Sequence, residues 1–169
     1  MQQDIYAWFA QHGIAYERCD HPPVFTTAEA EQLVPPLPGA KAKNLFVRDK
    51  TQDRFLLVVV PYAKRVDLAG LSAALAAKKL RFASAPELLE HLGITPGAVS
   101  ILGLYNDRAR RVELVVDTVI WEADPLQCHP LVNTATLVLP KTSLERFLSI
   151  TGHVPRVLDV PGLAPAPAA

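Results

Sequence analysis

Lys41, Lys43 and Asn44 run directly into the apolar residues Leu45, Phe46 and Val47. An ammonium beside an amide, at the mouth of an apolar strand, can hold an anionic group and orient a carbonyl. It can also stabilise the oxygen charge that develops when an ester is cleaved. Taken alone, lysines in such a run more often form a solvated face, so the rest of the chain decides. His21 lies in His21-Pro22-Pro23-Val24-Phe25, and a histidine beside two prolines is more often a loop residue than a ligand or base. Lys78, Lys79 and Arg81 form a basic knot that reads as a solvated helix end or a phosphate contact. Gly97 can expose backbone N–H groups in conformations other residues avoid, so its loop is a candidate pocket lining. No nucleophilic triad, HExxH motif, P-loop or paired acids at helical spacing occurs. Catalysis must then use a lysine, histidine, asparagine or hydroxyl together with backbone N–H groups.

The elements that position these residues follow from pattern. Ile5, Trp8 and Phe9 recur at helical spacing between Asp4 and Gly13, which predicts a helix over residues 2–12. Residues 14–19 alternate as a strand, and Thr26 with Glu29 forms a capping box for a helix through Leu33. Residues 43–48 and 55–60 are apolar runs joined by a polar connection, as in a hairpin. The second run is apolar on both faces, which predicts a central strand with helices on one side and sheet or loop on the other. Asp67 caps a helix ending near Lys78, and Ser84 with Glu87 caps another through Leu92. After the Gly97 loop come an expected apolar strand, further strands at 112–117 and 137–139, and a last helix over 143–150. Strands and helices interleave without regular βαβ spacing, so the fold class is α+β with a mixed, largely antiparallel sheet packed with helices.

Length and an apolar fraction of 50% suit one domain, taken as residues 1–160, with a loose Pro/Ala-rich tail over 161–169. Seventeen basic and seventeen acidic residues cancel, so any nucleic-acid contact must come from a local patch. The first residues lack a signal-peptide pattern and no apolar run is long enough to span a bilayer, so a cytoplasmic protein without membrane contact is expected. Cys19 and Cys128 have no CxxC spacing, which argues for free thiols and against a metal site or disulfide framework.

Together the motifs resemble the YbaK/prolyl-tRNA-synthetase editing-domain family. They run in order from His21-Pro22-Pro23-Val24-Phe25-Thr26 through Lys43-Asn44-Leu45-Phe46, Arg65-Val66-Asp67-Leu68, Thr95-Pro96-Gly97 and Asn106-Asp107. The series closes with His129-Pro130-Leu131-Val132-Asn133-Thr134, Thr151-Gly152-His153 and Val157-Leu158-Asp159. Within that family the free-standing deacylases that clear alanine from tRNA(Pro) are the nearest in kind. The resemblance implies a hydrolase without cofactor or metal, acting on aminoacyl-tRNA, with transient contact to prolyl-tRNA synthetase. It implies that Lys43 and Asn44 are the catalytic pair and that Gly97, His129, Asn133 and His21 bind substrate. It also implies that the ribose hydroxyl of the substrate assists hydrolysis; the basic residues Lys41, Lys78 and Lys79 are, by their charge, the candidates to hold tRNA. For His129 a buried ring satisfied by backbone is the equal alternative. The family's GxxxP pattern would place proline at position 101, where this chain has Ile101, leaving the backbone shape of that loop open. A non-catalytic tRNA-binding adaptor, a small-molecule esterase or amidase, and a deacylase for serine, threonine or cysteine are the competing readings.

Overall fold

β3, Arg54–Pro61, explains why its sequence is apolar on both faces. Phe55, Leu57 and Val59 enter one buried cluster while Leu56, Val58 and Val60 enter another on the opposite side of the sheet. Each such side chain contributes about 2 kcal/mol on burial, so the strand is the hinge between two cores. The computed structural model describes residues 4–164. The larger core is covered by α1, Ile5–His12, α4, Ala85–Leu92, and α6, Lys141–Thr151, through Phe9, Leu92 and Phe147. The second face is closed by a helix, α3, Leu68–Ala74, through Leu71, with Leu80 and Val160 beside it, rather than by the expected sheet or loop.

Eight strands form the sheet, in the order β1-β7-β6-β2-β3-β5-β8 with β4 added to β2. Their ranges are β1 Glu17–Asp20, β2 Ala40–Asp49, β4 Arg81–Phe82, β5 Val112–Asp117, β6 Leu126–Cys128, β7 Ala135–Leu139 and β8 Arg156–Leu158. Pairings β1/β7, β2/β3, β2/β4 and β6/β7 are antiparallel, whereas β2/β6, β3/β5 and β5/β8 are parallel. The sheet is therefore mixed and mostly antiparallel, and the chain is α+β.

Several boundaries differ from expectation for identifiable reasons. Ile14 belongs to the end of α1, its N–H bonding Phe9 O, so the strand begins at Glu17 and not at Ile14. The start of the first helix at residue 2 lies outside the described residues. α3 stops at Ala74 because Ala76 takes φ 53° and Ala77 N–H returns to Ser72 O, which leaves Lys78 and Lys79 beyond the helix. The apolar run after Gly97 is a 3-10 helix, Ile101–Asn106, capped by Ser100, and not a strand. A Cβ at Gly103 would meet Ile94 Cδ1 at 2.5 Å, so any side chain at this turn would force Ile94 to shift. Residues 161–163 are not loose: Pro161 O accepts from Asp67 N–H at 2.9 Å and Leu163 N–H donates to Arg65 O at 2.7 Å. The tail over 165–169 lies outside the described residues.

Candidate functional site

The site is a fork in the sheet. β6 runs parallel to β2 only at Ala40 and Lys41 and then diverges, while β4 joins the same edge of β2 at Val47 and Arg48. Ala40 N–H bonds Pro125 O on this edge and Phe46 O accepts from Ala83 N–H. Backbone groups alternate sides along a strand, so Ala42 and Asn44 direct their N–H and C=O groups into the gap between. A cavity of about 420 Å³ opens there. Its walls are Ala42, Lys43 and Asn44 of β2, Gln127 and Cys128 of β6, His129, Thr136 of β7, Gly97 and Val99, and Val24, Phe25 and Ala30 at and within α2, Thr27–Leu33.

The cavity brings together Lys41, Lys43, Asn44, Gly97 and His129 from opposite ends of the sequence. Lys43 forms no ion pair among the described residues. Its ammonium titrates below the ordinary lysine range because it is partly desolvated and because the Arg65 guanidinium stands near. Asn44 Oδ1 is buried without a hydrogen-bond partner among the described residues. A buried acceptor left unpaired costs about 1–3 kcal/mol, a cost that a donor on a bound molecule would remove. Burial holds His129 below the usual histidine range, so the ring is neutral at pH 7. Its Nδ1 lies 3.2 Å from Ala135 O, and since a carbonyl can only accept, Nδ1 carries the proton and Nε2 is left as an acceptor. Gly97 has φ +94°, and a Cβ there would lie 3.3 Å from Phe25 Cδ1. The positive φ favours glycine, and a side chain here would press on that ring.

His21 and Asn133 support the wall without lining it. His21 Nδ1 donates to Pro22 O at 2.9 Å and Nε2 lies 2.9 Å from Thr136 Oγ1, so the hydroxyl donates to the ring. Asn133 Nδ2 donates to Val24 O at 3.2 Å and Asn133 O accepts from Val24 N–H at 3.3 Å. Lys78 and Lys79 stand elsewhere. Lys78 N–H donates to the buried Asp49 at 2.7 Å, and Lys79 lines a second groove of about 330 Å³ with Arg48, Lys50, Arg81 and Phe82. Lys43 and Asp49 are six positions apart on β2, about 20 Å along the strand.

Pattern reading missed Phe25, Gln127, Thr136 and Tyr62 as cavity residues. Phe25 was available as an aromatic in a proline-broken loop, and it is 70% exposed at the mouth. Gln127 gave no signal, because its strand has three residues; its Nε2 donates to Leu37 O at 3.0 Å and Pro38 O at 3.3 Å, fixing the proline loop that leads into β2. Among the described residues no cluster of three His, Cys, Asp or Glu side chains could hold a metal ion. Burial pushes the Cys128 thiol up to about 12, away from the thiolate a nucleophile needs. No helix among the described residues is long and apolar enough to cross a membrane.

A forked α+β sheet with a cavity that offers an ammonium, an unpaired amide oxygen and backbone donors, but no thiolate nucleophile, has the character of a site for an already activated ester. The sequence matches the aminoacyl-tRNA editing domain family over residues 21–147, and the chain belongs to that family. It is 32% identical over 159 residues to the prolyl-tRNA editing protein ProX of Acetoanaerobium sticklandii, spanning 94% of this chain and 97% of that one. It is 38% identical over 142 residues to the prolyl-tRNA synthetase associated domain-containing protein 1 of Danio rerio, spanning 83% and 77%. The crystal structure of hypothetical protein APE2540 has the same fold, with a TM-score of 0.71 at 24% identity over 94% of this chain and 99% of that one. The class is that of an aminoacyl-tRNA deacylase, a hydrolase.

Proposed function

We propose that this chain is a trans-acting editing deacylase that hydrolyses the ester of tRNA(Pro) mischarged with alanine. The observation that carries this reading is the buried, unpartnered Asn44 Oδ1 beside the unpaired Lys43 in the fork between β2 and β6. The unpaired atom is an acceptor, so it engages a donor of the substrate, a ribose hydroxyl or the α-ammonium, and leaves the carbonyl to other groups. The Asn44 N–H and the Gly97 N–H are the donors available to the developing oxyanion, and the Lys43 ammonium holds the phosphate end of the substrate. An aminoacyl ester needs little more: a held water, assistance from the neighbouring ribose hydroxyl, and the neutral His129 as part of the wall. The names of the similar proteins support tRNA(Pro) as the carrier. Lys41 at the rim, and Lys78 and Lys79 in or beside the second groove, suit the phosphates of a strand running along β2. Cytoplasmic location, transient contact with prolyl-tRNA synthetase and a single editing domain follow from the same reading.

Alanine is the proposed side chain because a synthetase pocket built for proline rejects a smaller residue poorly, each missing methylene costing about 1–3 kcal/mol. A second pocket that admits alanine and excludes the pyrrolidine ring supplies the sieve. Amino-acid release from Ala-tRNA(Pro), Pro-tRNA(Pro), Ala-tRNA(Ala) and a minimal alanyl ester should be fast only for the first. Rapid cleavage of Pro-tRNA(Pro) removes the size sieve, equal rates on both alanyl-tRNAs remove tRNA selection, and rapid cleavage of the minimal ester makes the protein a general esterase. Binding without turnover of any substrate leaves an adaptor. EDTA should leave the rate unchanged, since among the described residues Cys128 and His129 are not joined by a third metal-ligating side chain; loss of activity on dialysis with recovery on adding zinc would overturn this.

A further inference from the structure

We propose that Arg65 is a second phosphate-binding residue of this site, paired with Lys43 on the phosphodiester that leads into the nucleotide carrying the ester. The proposal rests on the deacylase reading above. β3 ends opposite the start of β2, with Pro61 facing Ala42 and Val60 facing Lys43, and the chain then turns through Lys64 N–H to Pro61 O, 2.9 Å. Val66 packs in the same apolar cluster as Leu45, which lies two residues beyond Lys43 on the same face of β2. Arg65 therefore stands at the shoulder of Lys43.

Its backbone is held from the far end of the chain. Arg65 O accepts from Leu163 N–H at 2.7 Å, Val66 forms a β-bridge with Gly162, and Asp67 N–H donates to Pro161 O at 2.9 Å. The neighbouring lysine is already neutralised: Lys64 Nζ meets Asp117 Oδ2 at 2.7 Å, Asp159 Oδ1 at 3.2 Å and Val160 O at 2.8 Å. Arg65 is different. It is exposed, and its guanidinium forms no ion pair with any described residue. A fixed backbone thus presents an uncompensated cation beside another, and the Lys43 ammonium feels it. An anion between the two relieves the repulsion. The carboxyl of an aminoacyl ester is uncharged, so the anion such a substrate brings here is a phosphodiester, which suits a planar two-donor fork beside a point charge.

The test is binding of uncharged tRNA(Pro) to the full chain by fluorescence anisotropy at two salt concentrations, with deacylation kinetics run in parallel. Arg65→Ala should weaken binding about ten-fold and lower the salt slope by about one. It should raise KM for the mischarged tRNA while kcat changes less than about two-fold, and Arg65→Lys should restore part of the binding. Melting should be unchanged, because the side chain is exposed. Equal binding and an equal salt slope for wild type and Arg65→Ala overturn the proposal, as does a wild type that does not bind tRNA. A wild type that binds but does not hydrolyse the ester overturns the deacylase reading alone, and the Arg65 comparison still reads out.

Discussion

Lys43→Ala should lower single-turnover hydrolysis of mischarged tRNA(Pro) ten-fold or more, about 1.4 kcal/mol of transition-state stabilisation, without loss of folded protein. Lys43 lines the cavity and its ammonium has no ion-pair partner among the described residues, so removing it strands no acid. Removal also relieves the repulsion with Arg65, so stability should hold or rise slightly. Circular dichroism melting and single-turnover rates separate the two effects. The pH profile gives a further check. The Lys43 charge is lost as pH rises, and burial with Arg65 brings that loss below the ordinary lysine value of about 10.4. The wild-type rate should decline on the alkaline side below that value, and the decline should be absent from the variant. Unchanged rates in a well-folded Lys43→Ala protein would remove the role assigned to the ammonium.

The stretch around Lys43 was legible because polar side chains running into an apolar strand are a local signal, and the helix starts at Thr26, Asp67 and Ser84 were legible for the same reason. Each of these caps does accept a backbone N–H one turn into its helix. What could not be read is what depends on distant partners. β6 and β8 have three residues each and are strands only because β2, β7 and β5 flank them, so the fork that makes the cavity had no local mark. The run from Ile101 to Asn106 fits a strand or a helix equally by composition, and packing under α4 decided for a 3-10 turn. His21 and Asn133 carry family motifs, yet their bonds reach residues more than a hundred positions away and support the wall that Thr136 and Val24 form. Lys78 and Lys79 look continuous with a helix in sequence, and the positive φ at Ala76 turns them toward Asp49 instead.

Asp117→Ala should be strongly destabilising although the residue lies outside the cavity. The side chain is fully buried at the end of β5, where Oδ1 accepts from Val119 N–H at 2.9 Å and caps α5, Thr118–Glu122. Oδ2 accepts from Val160 N–H at 3.1 Å and from Lys64 Nζ at 2.7 Å. Truncation removes a helix cap, about 1 kcal/mol, and leaves the buried Val160 N–H unpaired, about 1–3 kcal/mol. Lys64 keeps Asp159 and solvent, so its part is small and the sum is about 3 kcal/mol. For a chain of this length that lowers the melting temperature by about 6–12 °C. The damage should also reach the site, because Val160 leads into Pro161, Gly162 and Leu163, the residues that hold Arg65 to Asp67. Below its own melting temperature, Asp117→Ala should therefore bind tRNA(Pro) more weakly than wild type. Asp159→Ala, which removes an exposed partner of the same lysine, should change neither melting nor binding measurably. A melting shift under about 3 °C for Asp117→Ala would show that the buried carboxylate is not the clasp of the C-terminal segment. Weakened binding in Asp159→Ala to the same degree would show that the Lys64 charge, and not the clasp, sets the affinity.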